Sequence, residues 1–178
     1  MLRAAANTLR TMHAASSFTI RDARDDDVPA ITAITNAGIA TRVATAQLEP
    51  FDIENRRAWL HRHDARHPVW VAQDAHGVAG WLSVTPWSDR AAYDATAELS
   101  VYVAPERQGR GAGAALLGHA LAQAPHLAIE SYVARIFAHN VASLRLFERF
   151  AFERWGVMPG VARVEGILRD VVILGRRL

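Results

Sequence analysis

The stretch ERQGRGAGAALLGHAL contains three closely spaced glycines, Gly109, Gly111 and Gly113, between an apolar strand pattern and a helical run of Ala and Leu. Successive backbone N–H groups at a helix N-terminus, unshielded by Cβ atoms, can cradle a pyrophosphate. The two arginines of this stretch can add charge-assisted hydrogen bonds to phosphate oxygens. The spacing therefore predicts an anion-binding loop.

Other interpretations of the glycines make different demands on the sequence. A Walker A loop needs Lys after its last glycine, and all 20 cationic residues of this chain are Arg. A dinucleotide fingerprint, G-x-G-x-x-A, matches Gly109 to Ala114, with Glu130 placed as the ribose-binding acid. Five residues separate the strand from Gly109, however, and too little chain remains for the usual doubly wound unit. A glycine-rich turn with no ligand is the third alternative.

Composition narrows the possible chemistry. The chain has 178 residues, a net charge of +2 and no Cys, which excludes thiol nucleophiles, Cys zinc sites and disulfides. The absence of Lys excludes a lysine Schiff base. No apolar run approaches the ~20 residues of a membrane helix, and the net charge gives no indication of nucleic acid binding. We expect no membrane or nucleic acid partner, and a cytoplasmic location is compatible with the composition.

The first 17 residues, MLRAAANTLRTMHAASS, carry Arg and Ser but no acidic residue. This pattern occurs in transit peptides, but it also fits a frayed extension, which we favour. We expect residues 1–17 to be a flexible extension and residues 18–178 to form one domain.

Hydrophobic periodicity predicts alternating strands and helices. The predicted strands are SFTIRDA, PVWVAQD, VAGWLSV, TAELSVYV, IESYVARIF, FERWGV and, after a long loop, DVVILGR. Helices are predicted at an apolar stripe of Val28, Ile31, Ile34 and Ile39, in EPFDIENRRAWLHRH, after the glycines and in NVASLRLFERF.

Local signals refine two of these elements. In the second helix Asp52 is the expected N-cap, and Ile53, Trp59 and Leu60 are expected to point inward. A turn at His76-Gly77 should make a hairpin. Antiparallel strands followed by βαβ units favour an α/β or α+β domain with a mixed sheet.

Three motifs together resemble the GCN5-related N-acetyltransferase (GNAT) superfamily. Gln108, Gly111 and Gly113 match its Q/R-x-x-G-x-G/A signature for acetyl-CoA. PWSDRAAYDATAELSVYV and NVASLRLFERFAF are similar to segments of phosphinothricin acetyltransferases and L-amino acid N-acyltransferases. The likeness extends from about Ile20 to Leu178. It implies a seven-stranded, mostly antiparallel mixed sheet, splayed between its fourth and fifth strands and flanked by about four helices.

The resemblance implies acetyl-CoA as cosubstrate, with no metal. The residues expected to bind it are Val101, Tyr102, Val103, Arg107, Gln108, Gly109, Arg110, Gly111, Ala112, Gly113, Ala114, Asn140 and Ser143. The backbone of Val101 and Val103 is expected to pair with the pantetheine arm, where an N–H can polarise the thioester carbonyl. Asn140 has a second interpretation as an ordinary N-cap.

By the same resemblance Glu98 is the candidate general base, which takes the proton of the acceptor ammonium directly or through water. Its alternation with Thr96, Ser100 and Tyr102 also fits an ordinary solvated strand face. Without Cys or Lys, direct attack in a ternary complex is expected. Phe147 departs from the family, which has Tyr or His there to protonate the thiolate, so the general acid is unassigned. Ala151 stands where the family has Gly.

Trp87, Arg90 and Tyr93 precede the Glu98 strand and are the expected acceptor-binding residues. A guanidinium can clamp a carboxylate and an aromatic wall can pack on an aliphatic chain, which favours the α-amino group of a small amino acid, phosphinothricin or methionine sulfone. Arg90 as a surface charge and Trp87 as a loop anchor fit equally well. Ala46 replaces a Phe common in the family, so the acceptor pocket should be wider.

Several alternatives and partners stay open at this point. The chain could be a non-catalytic CoA-binding or sensing module, or could acetylate a protein N-terminus or a polyamine. A homodimer is common in the family, and the apolar strand VVILG could contribute to it. His61, His63 and His67 suggest a metal site only weakly, because Pro68 ends any helix there.

Overall fold

The computed structural model describes residues 18–178, so the predicted N-terminal extension lies outside the described residues. One seven-stranded sheet has the order β1-β2-β3-β4-β5-β7-β6. The strands are β1 (Thr19–Asp22), β2 (Val69–Asp74), β3 (Gly77–Pro86), β4 (Thr96–Val103), β5 (Ser131–Phe137), β6 (Glu153–Val164) and β7 (Ile167–Arg177). The helices are α1 (Val28–Ala40), α2 (Ile53–Leu60), α3 (Ala112–Gln123) and α4 (Val141–Arg149).

The sheet is antiparallel except between β4 and β5. Those two strands run parallel because α3 carries the chain back across the sheet, as a parallel connection requires. Their pairing covers only Thr96↔Ser131, Ala97↔Tyr132 and Glu98↔Val133, after which the strands separate. The fold class predicted from the sequence, including the splay between the fourth and fifth strands, is confirmed.

Two apolar layers hold the helices against the sheet. On one face α1 buries its predicted stripe of Val28, Ile31, Ile34 and Ile39. On the other face Leu116 and Leu117 of α3 pack in a larger core that also includes residues of β4, β5 and α4. Because helices cover both faces, the central strands are apolar on both sides. The gap between β4 and β5 leaves room for a cavity in the sheet.

The second helix differs in part from its prediction. Asp52 is the N-cap, since its side chain accepts a hydrogen bond from the Asn55 N–H at 2.7 Å, and Leu60 is buried. Ile53, however, is 41% exposed. The buried face of this short helix is centred on Arg56 and Leu60, one turn apart, which leaves the first residue of the helix in solvent.

The long loop predicted before the last strand is instead part of a hairpin formed by β6 and β7. Pro159 lies where the register shifts between Met158 and Ala162, and β6 is an edge strand, so the missing N–H disrupts no regular ladder. The hairpin turns at Glu165 and Gly166, with φ of 49° and 82°. Two left-handed residues give the tight turn that matches strand twist.

Within residues 18–178, no helix is both long enough and apolar enough to cross a membrane.

Candidate active site

Beyond its first three residues, β4 has a free edge on the side of β5. The other edge is occupied, because β3 pairs with β4 along its length and the Ala104 N–H donates to the Ala79 carbonyl at 2.9 Å. Peptide groups alternate direction along an extended strand. The N–H groups of Val101 and Val103, which lie beyond the paired part of β4, therefore point into the gap between β4 and β5, where no strand of the described residues pairs with them.

A cavity of about 410 Å³ lies beside this free edge. Its walls come from β4, β5, the start of α4, the α1–α2 loop and the β6–β7 hairpin. The lining residues are Ala44, Thr45, Ala46, Glu98, Leu99, Ser100, Val101, Tyr102, Ala134, Arg135, Ile136, Phe137, Asn140, Ser143, Phe147, Met158, Val161, Ala162 and Val171. Five predicted site residues meet here, namely Glu98, Val101, Tyr102, Asn140 and Ser143.

Glu98 stands at the last paired position of β4 and is clamped by Arg135 of β5. The Arg135 Nε and Nη2 donate to the two carboxylate oxygens at 2.8 and 2.7 Å. The Glu98 side chain is only 14% exposed, whereas that of Arg135 is 53% exposed. The hydrogen bond with Glu98 raises the pKa of Arg135, although desolvation acts against it. A carboxylate thus faces the cavity in a fixed orientation.

The glycine loop keeps its backbone accessible. Gly109 and Gly111 have φ of 73° and 92°, which L side chains rarely adopt, and space around both is open. Gly111 is the N-cap of α3, and the first N–H groups of a helix have no partner within it. The loop therefore presents several free N–H groups to solvent.

Gly113 brings this helix end close to the free edge of β4. A Cβ at Gly113 would lie 3.1 Å from Leu146 Cδ2 and 3.5 Å from Val103 Cγ2. Glycine thus permits a contact between α3, α4 and β4 that a larger residue would push apart. The glycine loop therefore lies next to the free edge of β4.

The two arginines of the loop have different surroundings. The Arg107 Nη1 donates to Asp74 Oδ2 at 2.6 Å, and both side chains are largely buried, so this guanidinium helps to hold the loop against the β2–β3 hairpin. Arg110 is exposed, as is Gln108. Only Arg110 is free to reach a ligand without breaking an ion pair.

Asn140 is the N-cap of α4 and also ties two parts of the site together. Its Oδ1 accepts from the Ser143 N–H at 3.1 Å, while its Nδ2 donates to the Val43 carbonyl at 3.3 Å. The N-cap interpretation of the sequence is confirmed. The second bond fixes the α1–α2 loop, which carries Thr45 and Ala46, over the cavity.

Two aromatic rings complete the cavity wall. Phe147 is 3% exposed and packs edge-to-face with Phe152, at 5.0 Å between centroids. Its phenyl ring has no group that could donate a proton. Tyr102 stacks on Trp81 at 4.6 Å. Burial raises the pKa of Tyr102, opposed by a hydrogen bond with Thr45 and by the charge of Arg56. The Tyr102 hydroxyl therefore stays protonated near neutral pH.

The predicted acceptor-binding residues lie outside the cavity lining. Trp87 is partly buried, with its ring centroid 5.8 Å from the Arg135 Cζ. Arg90 and Tyr93 are exposed in the following loop. The structure brings only Trp87 of this group close to the cluster around Glu98.

Two of the three histidines of the α2–β2 connection have acidic partners, and the third, His63, packs against Trp59. His61 Nε2 lies 2.7 Å from Asp25, and His67 Nδ1 lies 3.1 Å from Asp64. Among the residues that the structure describes, no group of three or more His, Cys, Asp or Glu side chains is placed to hold a metal ion.

Sequence reasoning missed Arg135 and the wall formed by the β6–β7 hairpin. Arg135 could have been noticed, because it is a charge in the middle of the apolar run YVARIF, where a charge needs a partner. No pattern in the sequence indicated that Met158 and Val161 of the hairpin line the cavity, because the Pro-Gly pair beside them indicated a loop.

The fold, with its splayed strands and its glycine loop, places the chain in a class of acyl-transferring enzymes. The model of the acetyltransferase (GNAT) family matches residues 32–152, and the chain belongs to this family. The family is one of acetyltransferases, as the sequence motifs predicted.

Relatives with the same architecture extend the match over most of the chain. YwnH of Bacillus subtilis, provisionally named a phosphinothricin acetyltransferase, is 44% identical over 90% of this chain and 99% of its own. An L-methionine sulfoximine/L-methionine sulfone acetyltransferase of Pseudomonas aeruginosa is 36% identical over 89% and 93%. The crystal structure of a phosphinothricin acetyltransferase from Sinorhizobium meliloti in complex with acetyl-CoA is 28% identical, with a TM-score of 0.86 over 91% and 89%.

Proposed function

We propose that this enzyme transfers an acetyl group from acetyl-CoA to the α-amino group of a small amino acid or amino-acid analogue. The observation that carries the proposal is the position of Glu98. Its carboxylate lies where β4 loses its partner and lines the cavity beside the free edge of that strand. The names of the relatives, which include acetyltransferases for phosphinothricin and for methionine sulfoximine or sulfone, support the acceptor class.

The residues present fit acetyl-CoA. The N–H groups from Gly109 to Ala114, with the exposed side chains of Gln108 and Arg110 beside them, would hold the diphosphate, because the glycines leave this backbone open. Arg107 would support the loop through Asp74. The peptide groups of Val101 and Val103 would supply donors and acceptors for the pantetheine amides, as a further strand would use them. Asn140, Ser143 and Tyr102 complete the contacts that we assign to the cosubstrate.

Acetyl-CoA supplies an acetyl group on an activated thioester, so a C–N bond forms while the C–S bond breaks. Glu98 would take one proton from the acceptor ammonium, which makes the nitrogen nucleophilic. The Val101 N–H points into the gap and would stabilise negative charge on the carbonyl oxygen. Phe147 has no proton to give, so the second proton lost by the nitrogen would neutralise the departing thiolate. The lack of Cys and Lys supports direct attack in a ternary complex rather than a covalent acyl-enzyme.

Trp87, Arg90 and Tyr93 would form the outer wall of the acceptor site. Trp87 lies nearest the Glu98 cluster, and the exposed Arg90 and Tyr93 would contact the parts of the acceptor that extend from the cavity. Ala44 and Ala46 leave the opposite wall small, which leaves room for a side chain the size of methionine sulfone.

The test is release of free CoA from acetyl-CoA in the presence of a panel of amines, together with calorimetry of acetyl-CoA binding. We expect turnover with small α-amino acids and little with polyamines, since Arg135 and Arg90 repel a polycation. Turnover restricted to peptide N-termini or polyamines would show that those amines, and not small amino acids, are the acceptors. Acetyl-CoA binding without turnover on any amine would show a sensing module instead.

The proposal includes a homodimer formed through the β6–β7 hairpin. Trp155, Val157 and Leu168 of this hairpin are 48%, 45% and 55% exposed, a large apolar area on an edge of the sheet. The VVILG strand has both edges paired, because β7 lies between β5 and β6, so it would contribute through its partly exposed Val171 and Ile173. A cytoplasmic location remains a prediction.

A further inference from the structure

Arg135 has hydrogen-bonding capacity that its pairing with Glu98 does not use. A guanidinium carries five N–H donors in a fixed planar fork. Glu98 occupies the edge formed by Nε and Nη2. In the part of the chain that the structure describes, no acceptor bonds the Nη1 atom, and the side chain is 53% exposed. The Nη1–Nη2 edge is therefore available to a second, bidentate partner.

Arg135 also supplies the positive charge of the cavity. Arg135 is the one arginine among the described residues that line it. Arg107 is paired with Asp74, and Arg90 is exposed in the loop that follows Trp87. An anionic acceptor that reaches Glu98 must therefore pass within reach of the Arg135 guanidinium.

We propose that the free edge of Arg135 binds the α-carboxylate of the acceptor, so that one guanidinium holds the substrate carboxylate and the candidate base side by side. This inference rests on the proposed function and specifies its acceptor as an α-amino carboxylate. It assigns the carboxylate clamp to β5, in addition to the outer contacts proposed for Arg90.

The geometry of a doubly occupied guanidinium explains a preference for α-amines. Two carboxylates on adjacent edges lie about 7 Å apart, carbon to carbon. An amino group one carbon from the second carboxylate then lies within direct or single-water reach of Glu98. An amino group at the far end of the acceptor would be carried away from Glu98, toward solvent.

The charges of this arrangement balance. Glu98 and the acceptor carboxylate are negative, while Arg135 and the acceptor ammonium are positive, so the assembled group is neutral in a partly buried site. Trp87, with its ring 5.8 Å from the Arg135 Cζ, adds a cation–π contact that orients the guanidinium plane. Before the acceptor binds, the Glu98–Arg135 pair keeps both charges compensated.

The experiment compares wild type, Arg135→Gln, Arg135→Lys and Arg62→Gln, the last as a control at an exposed arginine outside the cavity. The acceptors are L-methionine sulfone and its α-carboxamide. We expect wild type to favour the acid over the amide by about 100-fold in kcat/KM, because a charge-assisted bidentate contact is lost with the amide. The ratio should fall to near one in Arg135→Gln and to an intermediate value in Arg135→Lys, which keeps the charge but lacks the fork.

Two outcomes would overturn the assignment. An equal loss on both acceptors in Arg135→Gln, with the ratio unchanged, would mean that Arg135 acts only through Glu98. Equal binding of L-methionine sulfone to CoA-loaded wild type and Arg135→Gln, measured by calorimetry, would also refute it. Failure of wild type to acetylate any amine would refute the proposed function itself, a distinct result. An unchanged acetyl-CoA Kd and melting temperature show that each variant is folded.

Discussion

At the scale of single residues, the site depends on Glu98 occupying the last paired position of β4. One residue earlier the side chain would point to the opposite face, because strand side chains alternate. Glu98 pairs with Val133, and Arg135 lies two residues further along β5, where the strands have begun to separate. The carboxylate is thus placed by the register and oriented by the guanidinium.

Replacing Glu98 with Gln removes the proton acceptor and keeps the shape of the side chain. We expect kcat to fall by about 100-fold or more, because general base catalysis contributes at least that much. The Kd for acetyl-CoA should not change, since the proposed cofactor contacts lie along the β4 backbone and in the glycine loop. Stopped assays of CoA release and calorimetry measure the two quantities. Glu153→Gln, exposed on β6, is the control, and a fully active Glu98→Gln enzyme would remove this residue from the mechanism.

Ala151 carries strain that a glycine would relieve. It has φ of 57° at the end of α4, and its N–H donates to the Glu148 carbonyl at 3.0 Å. The left-handed region costs an L residue about 1–2 kcal/mol, partly offset by the greater freedom of glycine in the unfolded chain. We expect Ala151→Gly to raise the free energy of unfolding by about 1 kcal/mol.

Urea denaturation measures this change. Ala58→Gly, at an exposed position in α2, is the matched substitution, and it should lower the free energy of unfolding by about 1 kcal/mol. Destabilisation by both substitutions would show that the backbone at Ala151 is not strained.

At the scale of elements, the sequence predicted what local patterns encode. Three predicted features depend only on neighbouring residues, and all three are present: the apolar stripe of α1, the N-cap at Asp52 and the glycine loop. The β6–β7 hairpin was missed because Pro159 is tolerated only through a register shift on an edge strand, a property of the assembled sheet. The Glu98–Arg135 pair joins residues 37 positions apart, so spacing gave no indication of it.

The junction between β1 and α1 depends on a buried carboxylate. Asp27 is 6% exposed and accepts from Arg21 at 2.6 and 2.8 Å and from the Arg24 N–H at 2.8 Å. Burial acts to raise the pKa of Asp27, but the Arg21 hydrogen bonds, the Arg24 N–H and their charges outweigh it, so the pKa is lowered.

The lowered pKa gives this junction a predictable pH dependence. The folded state binds the Asp27 proton less readily than the unfolded chain, so the stabilisation is fully present above the ordinary pKa, about 3.9. It is lost as the pH falls from there through the lowered value. Asp27→Asn should lower the free energy of unfolding by about 2 kcal/mol at pH 7. It should also make the fall of this free energy at acid pH less steep. Urea denaturation from pH 7 to pH 2.5 measures this, with the exposed Asp26→Asn as control, and an unchanged decline in Asp27→Asn would contradict it.

At the scale of the whole molecule, the β6–β7 hairpin has two roles. Its inner face lines the cavity through Met158 and Val161. Its exposed apolar side chains form the proposed contact with a second copy of the chain. Assembly through this hairpin would therefore support the wall of the active site, and loss of the dimer should weaken acceptor binding as well.

Sedimentation velocity tests the dimer. We expect wild type to sediment at twice the monomer mass and Val157→Glu to sediment as a monomer, because a buried unpaired charge opposes association. Ile53→Glu makes the same change at an exposed apolar residue on α2 and should leave the dimer intact. A wild-type monomer at micromolar concentrations would refute the proposed assembly.

A crystal structure of this enzyme with acetyl-CoA would test most directly whether the cosubstrate binds between β4 and β5 beside Glu98. We expect the diphosphate on the N–H groups between Gln108 and Ala114, and the pantetheine arm along the free edge of β4 at Val101 and Val103. We also expect the thioester to lie beside the Glu98 carboxylate. A cofactor bound outside the gap between β4 and β5, or a thioester remote from Glu98, would contradict this placement.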